Sequence, residues 1–261
     1  MTEALSISPA RGFVAEHDHY RDDAAFWKAH AVRLGGPVLD LGAAAGRVAI
    51  PIAMLGIPVV AVDADAEMLA VLHERADSAG VADCIATVHG RLGHCHLPAD
   101  AALAIVPMNT LQVLVDPDER ARTFATVATA LRPGGEFIFD LSVPDLDDIA
   151  DRLGEVIPTG VHRDTESGAI LVHTAVYDAI DPGTRTLHFR VIVDRTYPEG
   201  TQTHDERPHH VHLYTPDEVE SLICGAGLEV VTVHAGFCGE PFDPSQSERQ
   251  VWQCRTPRGG P

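Results

Sequence analysis

A glycine turn directly after an apolar run is the first place in this sequence where binding chemistry is expected. The run 38–41 ends at Gly42, and only small residues separate Gly42 from Gly46. A glycine after a buried strand lets the chain turn tightly and lets a ligand approach the backbone, while the next helix offers unpaired amide N–H groups. Such a turn also occurs as plain packing of a strand against a helix, so the turn alone leaves both interpretations open.

An acid at the end of the second apolar run favours a ligand. Asp63 closes the run 59–63 and follows Asp40 by 23 residues (63 − 40). An acid about 20 residues beyond a glycine turn can accept hydrogen bonds from ribose hydroxyls. Its alternative role is to cap the next helix, which Asp65 could do instead. Turn and acid together predict a nucleoside-type ligand at the edge of an α/β sheet.

The glycine spacing argues against a dinucleotide. The G-x-G-x-x-G pattern that cradles a pyrophosphate needs glycines where this chain has Ala44 and Arg47. A nucleoside cofactor without a phosphate needs no such cradle. An NAD-dependent oxidoreductase remains an alternative, which nicotinamide binding would reveal.

Four segments, in order, resemble the motifs of class I S-adenosylmethionine-dependent methyltransferases. They are residues 38–46, 60–63, 105–112 and 131–137, and together they cover about residues 37–144. The β-rich stretch that follows is similar to the β-insert of small-molecule N-methyltransferases. The resemblance implies a methyltransferase that uses S-adenosyl-L-methionine, releases S-adenosyl-L-homocysteine and methylates a small molecule at nitrogen, oxygen or carbon.

The resemblance also assigns cofactor contacts to the matching positions. Gly42 and its neighbours would pass under the methionine part, Asp63 would hold the ribose, and Ala64 would border the adenine. The full set of cofactor residues is Tyr20, Asp40, Gly42, Ala43, Gly46, Asp63, Ala64, Met68, Arg91, Val106 and Pro107. Two positions depart from the family: Ala44 replaces the middle glycine, and Arg91, which cannot accept a hydrogen bond, replaces an adenine-binding aspartate.

The methyl acceptor would be held and, where it arrives protonated, deprotonated by residues outside the glycine turn. Alignment supplies most of the catalysis in such a transfer, and a histidine suits the base. The candidate bases are His19, His210 and His212, and the candidate acceptor ligands are Asn109, Gln112 and Asp140. Sugar N-methyltransferases carry a histidine near the Gln112 position, which this chain lacks. The alternatives are a polar strand for the histidines and helix capping or surface positions for the amides. A metal site is not expected, because nothing supplies a third ligand.

The elements that must position these residues alternate between apolar runs and helical stretches. This pattern predicts a doubly wound, seven-stranded, mostly parallel sheet of Rossmann-like methyltransferase type with an antiparallel β insert. We expect helices over 46–55 and 118–131, and a helix from residue 24 capped by Asp22 or Asp23. The expected parts are an N-terminal arm and helix that forms a lid (1–36), a cofactor-binding core (37–144), the insert on the substrate side (145–214), and a final helix and strands (215–261).

Composition limits the partners. The chain has 19 Lys+Arg against 38 Asp+Glu, a formal net charge of −19, which repels nucleic-acid phosphates and anionic membrane surfaces. No targeting segment or membrane span is expected, and the five scattered cysteines favour a reducing, cytoplasmic location. An exposed edge of the insert could pair with a second copy to form a homodimer. A peptide or protein acceptor, and a cofactor-binding module without transferase activity, remain open alternatives.

Overall fold

A computed structural model of the chain describes residues 9–18, 20–164 and 167–258. The contacts divide the chain into two compact units. The larger unit comprises residues 21–143 and 213–261, and the smaller comprises residues 1–20 and 144–212.

The larger unit is built on one seven-stranded sheet in the order β10-β11-β5-β4-β1-β2-β3. Strand β11 is antiparallel to both of its neighbours, and the remaining pairs are parallel. The strands are β1 (Val38–Leu41), β2 (Val59–Asp63), β3 (Ile85–His89), β4 (Ala101–Val106), β5 (Leu131–Ser142), β10 (Glu229–His234) and β11 (Arg249–Arg255). The predicted sheet is confirmed.

Helices cover both faces of this sheet, so its central strands are buried throughout. Every residue of β1 and β4 is buried, because a parallel strand between helices meets no water on either face. The helices of this unit are α2 (Ala24–Leu34), α3 (Ala49–Ala53), α4 (Ala66–Ser78), α5 (Pro117–Ala130) and α7 (Pro216–Gly225), with short 3₁₀ turns at Ala82–Cys84 and Thr110–Val113. No helix in the described ranges is long and apolar enough to cross a membrane.

The smaller unit is a four-stranded antiparallel sheet in the order β6-β7-β8-β9, with α1 (Pro9–His17) and α6 (Leu146–Asp151). Its strands are β6 (Val156–Arg163), β7 (Ile170–Asp181), β8 (Thr186–Thr196) and β9 (Gln202–His212). Helix α1 is tied to β8 and β9 by the buried carboxylate of Glu16, which accepts hydrogen bonds from Arg195 (2.6 Å) and Arg207 (2.6 and 2.7 Å). The predicted antiparallel β insert is confirmed.

Two local predictions were wrong, and one strand was not predicted. The helix expected over 46–55 is limited to α3, because the chain is still turning at Gly46, whose φ is +83°. Strand β6 was not predicted, because none of its residues is buried and its sequence carries no alternation to detect. Asp23 precedes α2 but makes no capping hydrogen bond with its side chain.

Candidate active site

The turn after β1 requires glycine at two positions. Gly42 has a φ of +78°, and a Cβ there would lie 2.5 Å from Cγ2 of Thr110. A Cβ on Gly46 would lie 3.0 Å from both Ile50 and Leu72 side-chain carbons. The amides of Gly42 and Ala43 both donate to the Val62 carbonyl, at 2.8 and 3.0 Å, so this turn is fixed to the end of β2. The result is a close-packed backbone cradle at the carboxyl edge of the sheet.

Ala44 occupies the centre of this turn in a left-handed conformation, with a φ of +45°. An L-residue with a Cβ pays roughly 1–2 kcal/mol there. The Ala44 amide donates to Oδ2 of Asp63 at 2.8 Å, and the Asp65 amide donates to Oδ1 at 2.9 Å. These two bonds orient the Asp63 carboxylate. They leave acceptor capacity on both oxygens for further hydroxyl donors, because an ionised carboxylate has about four lone-pair sites.

Asp40 is a buried acid without a hydrogen-bond partner. It is 1% exposed, and neither carboxylate oxygen makes a hydrogen bond to the described part of the chain. Burial raises the pKa of Asp40 to about 7; the Arg47 cation partly offsets this effect and the Asp63 carboxylate adds to it. The Ala49 amide also lowers this pKa, although it is not in hydrogen-bonding geometry. Buried carboxylates normally have a hydrogen-bond partner, so both Asp40 oxygens have capacity to accept a donor bound at this turn.

Arg47 connects the turn to α2. Its two terminal nitrogens donate to the two carboxylate oxygens of Asp23, at 2.6 and 2.7 Å, and Nε1 of Trp27 donates to the same group at 2.8 Å. Asp23 is fully buried, which explains why it serves as a bidentate partner rather than as a helix cap. The sequence does not predict the Asp23–Arg47 ion pair, because a separation of 24 residues follows no spacing rule that indicates a contact.

The adenine-side prediction rests on residues that follow β2 and β3. The side chain of Arg91 is 68% exposed and donates to Glu119 of α5 at 2.9 Å. The Ala64 carbonyl contacts Nε2 of His89 at 3.0 Å, and the Gly90 amide donates to the Asp63 carbonyl at 2.9 Å. Met68, on the first turn of α4, is half-buried. The Arg91 guanidinium is therefore occupied by a surface ion pair.

The segment after β4 contains the other candidate residues of the larger unit. Val106 and Pro107 are buried, and Asn109 follows with a φ of +57°. Gln112 is also buried, and its Oε1 accepts from the Ser142 amide (3.1 Å) and hydroxyl (2.7 Å). Those contacts give Gln112 a structural task, connecting the 3₁₀ turn to the end of β5. Asp140 lies fully buried at the same edge of the sheet.

The remaining candidates belong to the smaller unit. His210 is exposed, with Nδ1 2.7 Å from Nδ1 of His188 on the neighbouring strand. His212 is buried, and its Nδ1 lies 3.0 Å from the Thr184 carbonyl. Tyr20 is half-buried and its amide donates to the His17 carbonyl at 3.1 Å. The predicted base His19 lies outside the described residues. No group of three His, Cys, Asp or Glu side chains that could hold a metal occurs in the ranges described.

The larger unit thus brings together the cradle, Asp40, Asp63, Pro107 and Asp140, which come from the ends of four strands. Residues 38–135 match the family model of a methyltransferase domain. The structure of the CcbJ methyltransferase from Streptomyces caelestis is similar over 91% of this chain and 96% of its own, with 28% identity and a TM-score of 0.73.

Two further solved structures have the same fold. An S-adenosylmethionine-dependent methyltransferase from Clostridium acetobutylicum matches with a TM-score of 0.76 at 13% identity, over 95% of this chain and 97% of its own. The sugar N-methyltransferase KedS8 from Streptoalloteichus matches with a TM-score of 0.71 at 14% identity, over 99% of this chain and 96% of its own. The motifs, their geometry and these matches agree: residues 38–135 form a methyltransferase domain, and the chain has the fold of S-adenosylmethionine-dependent methyltransferases.

Proposed function

We propose that this enzyme transfers the methyl group of S-adenosylmethionine to a small-molecule acceptor, with an amine nitrogen as the first candidate. The main support for S-adenosylmethionine as the cofactor is the buried carboxylate of Asp40. This group has no hydrogen-bond partner in the described ranges and lies next to the Gly42 cradle. S-adenosylmethionine fits these acceptor groups, because it presents an ammonium group and ribose hydroxyls as donors and carries no phosphate.

The residues of the larger unit would divide the work of binding. Asp40 would face the cationic methionine end, and Gly42 would let the cofactor lie against the backbone without a clash. Asp63, already oriented by the Ala44 and Asp65 amides, would accept the ribose hydroxyls. When bound, the cofactor supplies an activated methyl group on a sulfonium. The protein's own contribution is to hold the cofactor, exclude water and align the acceptor.

Support for a small-molecule amine acceptor comes from the named activities of similar structures. KedS8 is described as a sugar N-methyltransferase, CalS10 from Micromonospora echinaspora as an amino pentose methyltransferase, and MtfA as a glycopeptide N-methyltransferase. These likenesses are below 25% identity and carry the fold alone, so the acceptor class rests on analogy. We keep His210 and His212 as candidate bases for an acceptor that arrives protonated.

The test is calorimetric titration of the purified chain with S-adenosylmethionine and S-adenosylhomocysteine, beside Asp63→Ala. We expect the native chain to bind both ligands and the variant to lose this binding. The substitution removes the carboxylate that would accept the two ribose hydroxyls. Asp65→Ala is the matched control: it removes the acceptor that caps α4 through the Glu67 and Met68 amides, but leaves the Asp63 side chain in place. Equal loss in both variants would indicate local unfolding instead of a ribose contact.

An acceptor screen follows with methyl-labelled cofactor. Glucosamine represents the amines, catechol the hydroxyl acceptors, and a lysine-containing peptide the alternative of a macromolecular acceptor. Label on the amine supports the proposal, and label on the peptide alone overturns it. A chain that binds cofactor but labels nothing would be a binding module without transferase activity.

A further inference from the structure

A buried acid at the end of β5 is committed to the backbone that follows β4. Asp140 has no exposed surface. Its Oδ1 accepts the Met108 amide at 2.8 Å, and its Oδ2 accepts Nη1 of Arg249. Both oxygens are therefore occupied by the protein itself, so this side chain holds the turn in preference to binding a substrate directly.

The turn held in this way is strained. Met108 and Asn109 are consecutive non-glycine residues with φ of +59° and +57°. Left-handed backbone is sterically unfavourable for an L-residue, and a residue with a long side chain such as Met rarely adopts it. Such strain persists only where the surroundings over-determine the conformation. Here the Asp140 carboxylate holds the Met108 amide, and on the far side the Gln112 amide donates to the Asn109 carbonyl at 2.8 Å.

Arg249 is itself held in place, which makes the contact with Asp140 rigid. Its guanidinium lies 5.1 Å from the ring centre of Phe237, and that ring lies 5.8 Å from the ring of Trp27. Burial raises the pKa of Asp140 to about 6, and the Arg249 cation acts in the opposite direction. The counter-ion thus favours the ionised form, which accepts both hydrogen bonds.

The consequence concerns Asn109. Its Oδ1 is buried and has no hydrogen-bond partner within the described ranges, at the point where the chain leaves β4. We propose that Asp140, with Arg249 as its counter-ion, is a positioning residue that fixes the left-handed turn Met108–Asn109 and thereby aims the Asn109 amide at the methyl acceptor. The aim at an acceptor rests on the proposed function; the fixing of the turn does not.

Asn109 is the only asparagine in the sequence, so one label reports on the turn. In protein prepared with ¹³C,¹⁵N-asparagine, the Cα and Cβ shifts report the backbone conformation, and the side-chain NH₂ reports its surroundings. We expect Asp140→Ala to move these signals towards values of an ordinary turn or to split them. Asp140→Asn, which keeps the shape of the side chain, guards against a variant that fails to fold.

Rescue distinguishes positioning from simple loss of stability. Glycine adopts positive φ at no steric cost, so Met108→Gly added to Asp140→Ala should return the Asn109 signals towards those of the native chain. Asp116→Ala, which removes the cap of α5, is the control for general destabilisation and should leave Asn109 unchanged. Unchanged Asn109 signals in Asp140→Ala, or no recovery of the native signals in the double variant, would overturn the proposal that Asp140 fixes the turn.

Turnover completes the test. With the best acceptor of the screen, Asp140→Ala should lower kcat by about 10- to 100-fold, since misplacement of an aligned group costs this much. The affinity for S-adenosylmethionine should stay unchanged, and Met108→Gly should restore part of the rate. A changed Asn109 signal with native turnover would refute the role in positioning the acceptor. If the native chain binds no cofactor, the proposed function fails while the labelled asparagine still decides whether Asp140 fixes the turn.

Discussion

Replacing Asp40 with asparagine should make the cofactor-free protein more stable above neutral pH. The folded-state pKa of Asp40 is about 7, raised by burial from an ordinary value of 3.8. A raised pKa means that the stabilising protonated form is fully present below pH 3.8 and is lost as the pH rises through 7. Keeping this acid folded and ionised at pH 8 therefore costs about 4 kcal/mol relative to an unshifted group.

The pH dependence separates the titration of Asp40 from effects of the substitution that are the same at every pH. Linkage with these two pKa values predicts that the native chain loses about 2–3 kcal/mol of unfolding free energy relative to Asp40→Asn between pH 5 and pH 8. The buried amide of the variant lacks partners and costs about 1–3 kcal/mol at either pH. We therefore expect a net gain only on the alkaline side. Asp140 titrates in both proteins and cancels from the difference.

Urea unfolding at pH 5 and pH 8 measures this difference directly. Asp83→Asn is the control, because it makes the same charge change at an exposed site. The same variant should bind S-adenosylmethionine more weakly, since a neutral amide cannot pair with a cation. If the stability difference between Asp40→Asn and the native chain is the same at both pH values, Asp40 is not a buried titrating acid and the reasoning fails.

Four further outcomes are expected. Cofactor affinity in calorimetry should rise about tenfold from pH 6 to pH 8, as Asp40 ionises; a flat profile would contradict the pairing. Gly42→Ala should abolish cofactor binding, whereas Gly56→Ala, with an equally left-handed φ of +75° but open space around it, should cost only backbone strain in thermal unfolding. Ala44→Gly should raise stability by up to about 1 kcal/mol, and a loss would show that the Cβ itself is needed. Glu16→Ala should speed amide exchange in α1 by roughly 100-fold, because a buried partner of two arginines is removed; unchanged exchange would mean that other contacts hold α1.

The sequence predicts the larger sheet well for a physical reason. Buried parallel strands must be continuously apolar, and each ends at a turn whose residue types are restricted, so β1, β2 and β4 are visible as runs such as 101–106. Asp63 is found for the same reason: its place at a strand end, about 20 residues beyond a glycine, fixes both its edge and its depth in the sheet.

What the sequence hides are contacts between groups that share no spacing rule. Asp23 looks like a helix cap, but its burial beside Trp27 makes a charge partner necessary, and only the fold brings Arg47 to it. Gln112 looks like a ligand on polarity alone, yet its amide oxygen is used by Ser142. Strand β6 was not predicted, because an exposed edge strand needs no alternation of apolar residues.

The two departures from the dinucleotide-binding glycine pattern, Ala44 and Arg47, are connected by charge. Arg47 stands where a dinucleotide-binding turn would have a glycine, and its guanidinium donates to both carboxylate oxygens of the buried Asp23. Arg47 supplies one positive charge against the carboxylates of Asp23, Asp40 and Asp63, so the turn is net negative when all three acids are ionised. A turn of this sign repels a pyrophosphate and attracts a cation, and that preference holds whether or not the central residue is glycine. Ala44 can therefore replace glycine at the cost of backbone strain alone, because the Asp63 carboxylate it helps to orient is kept.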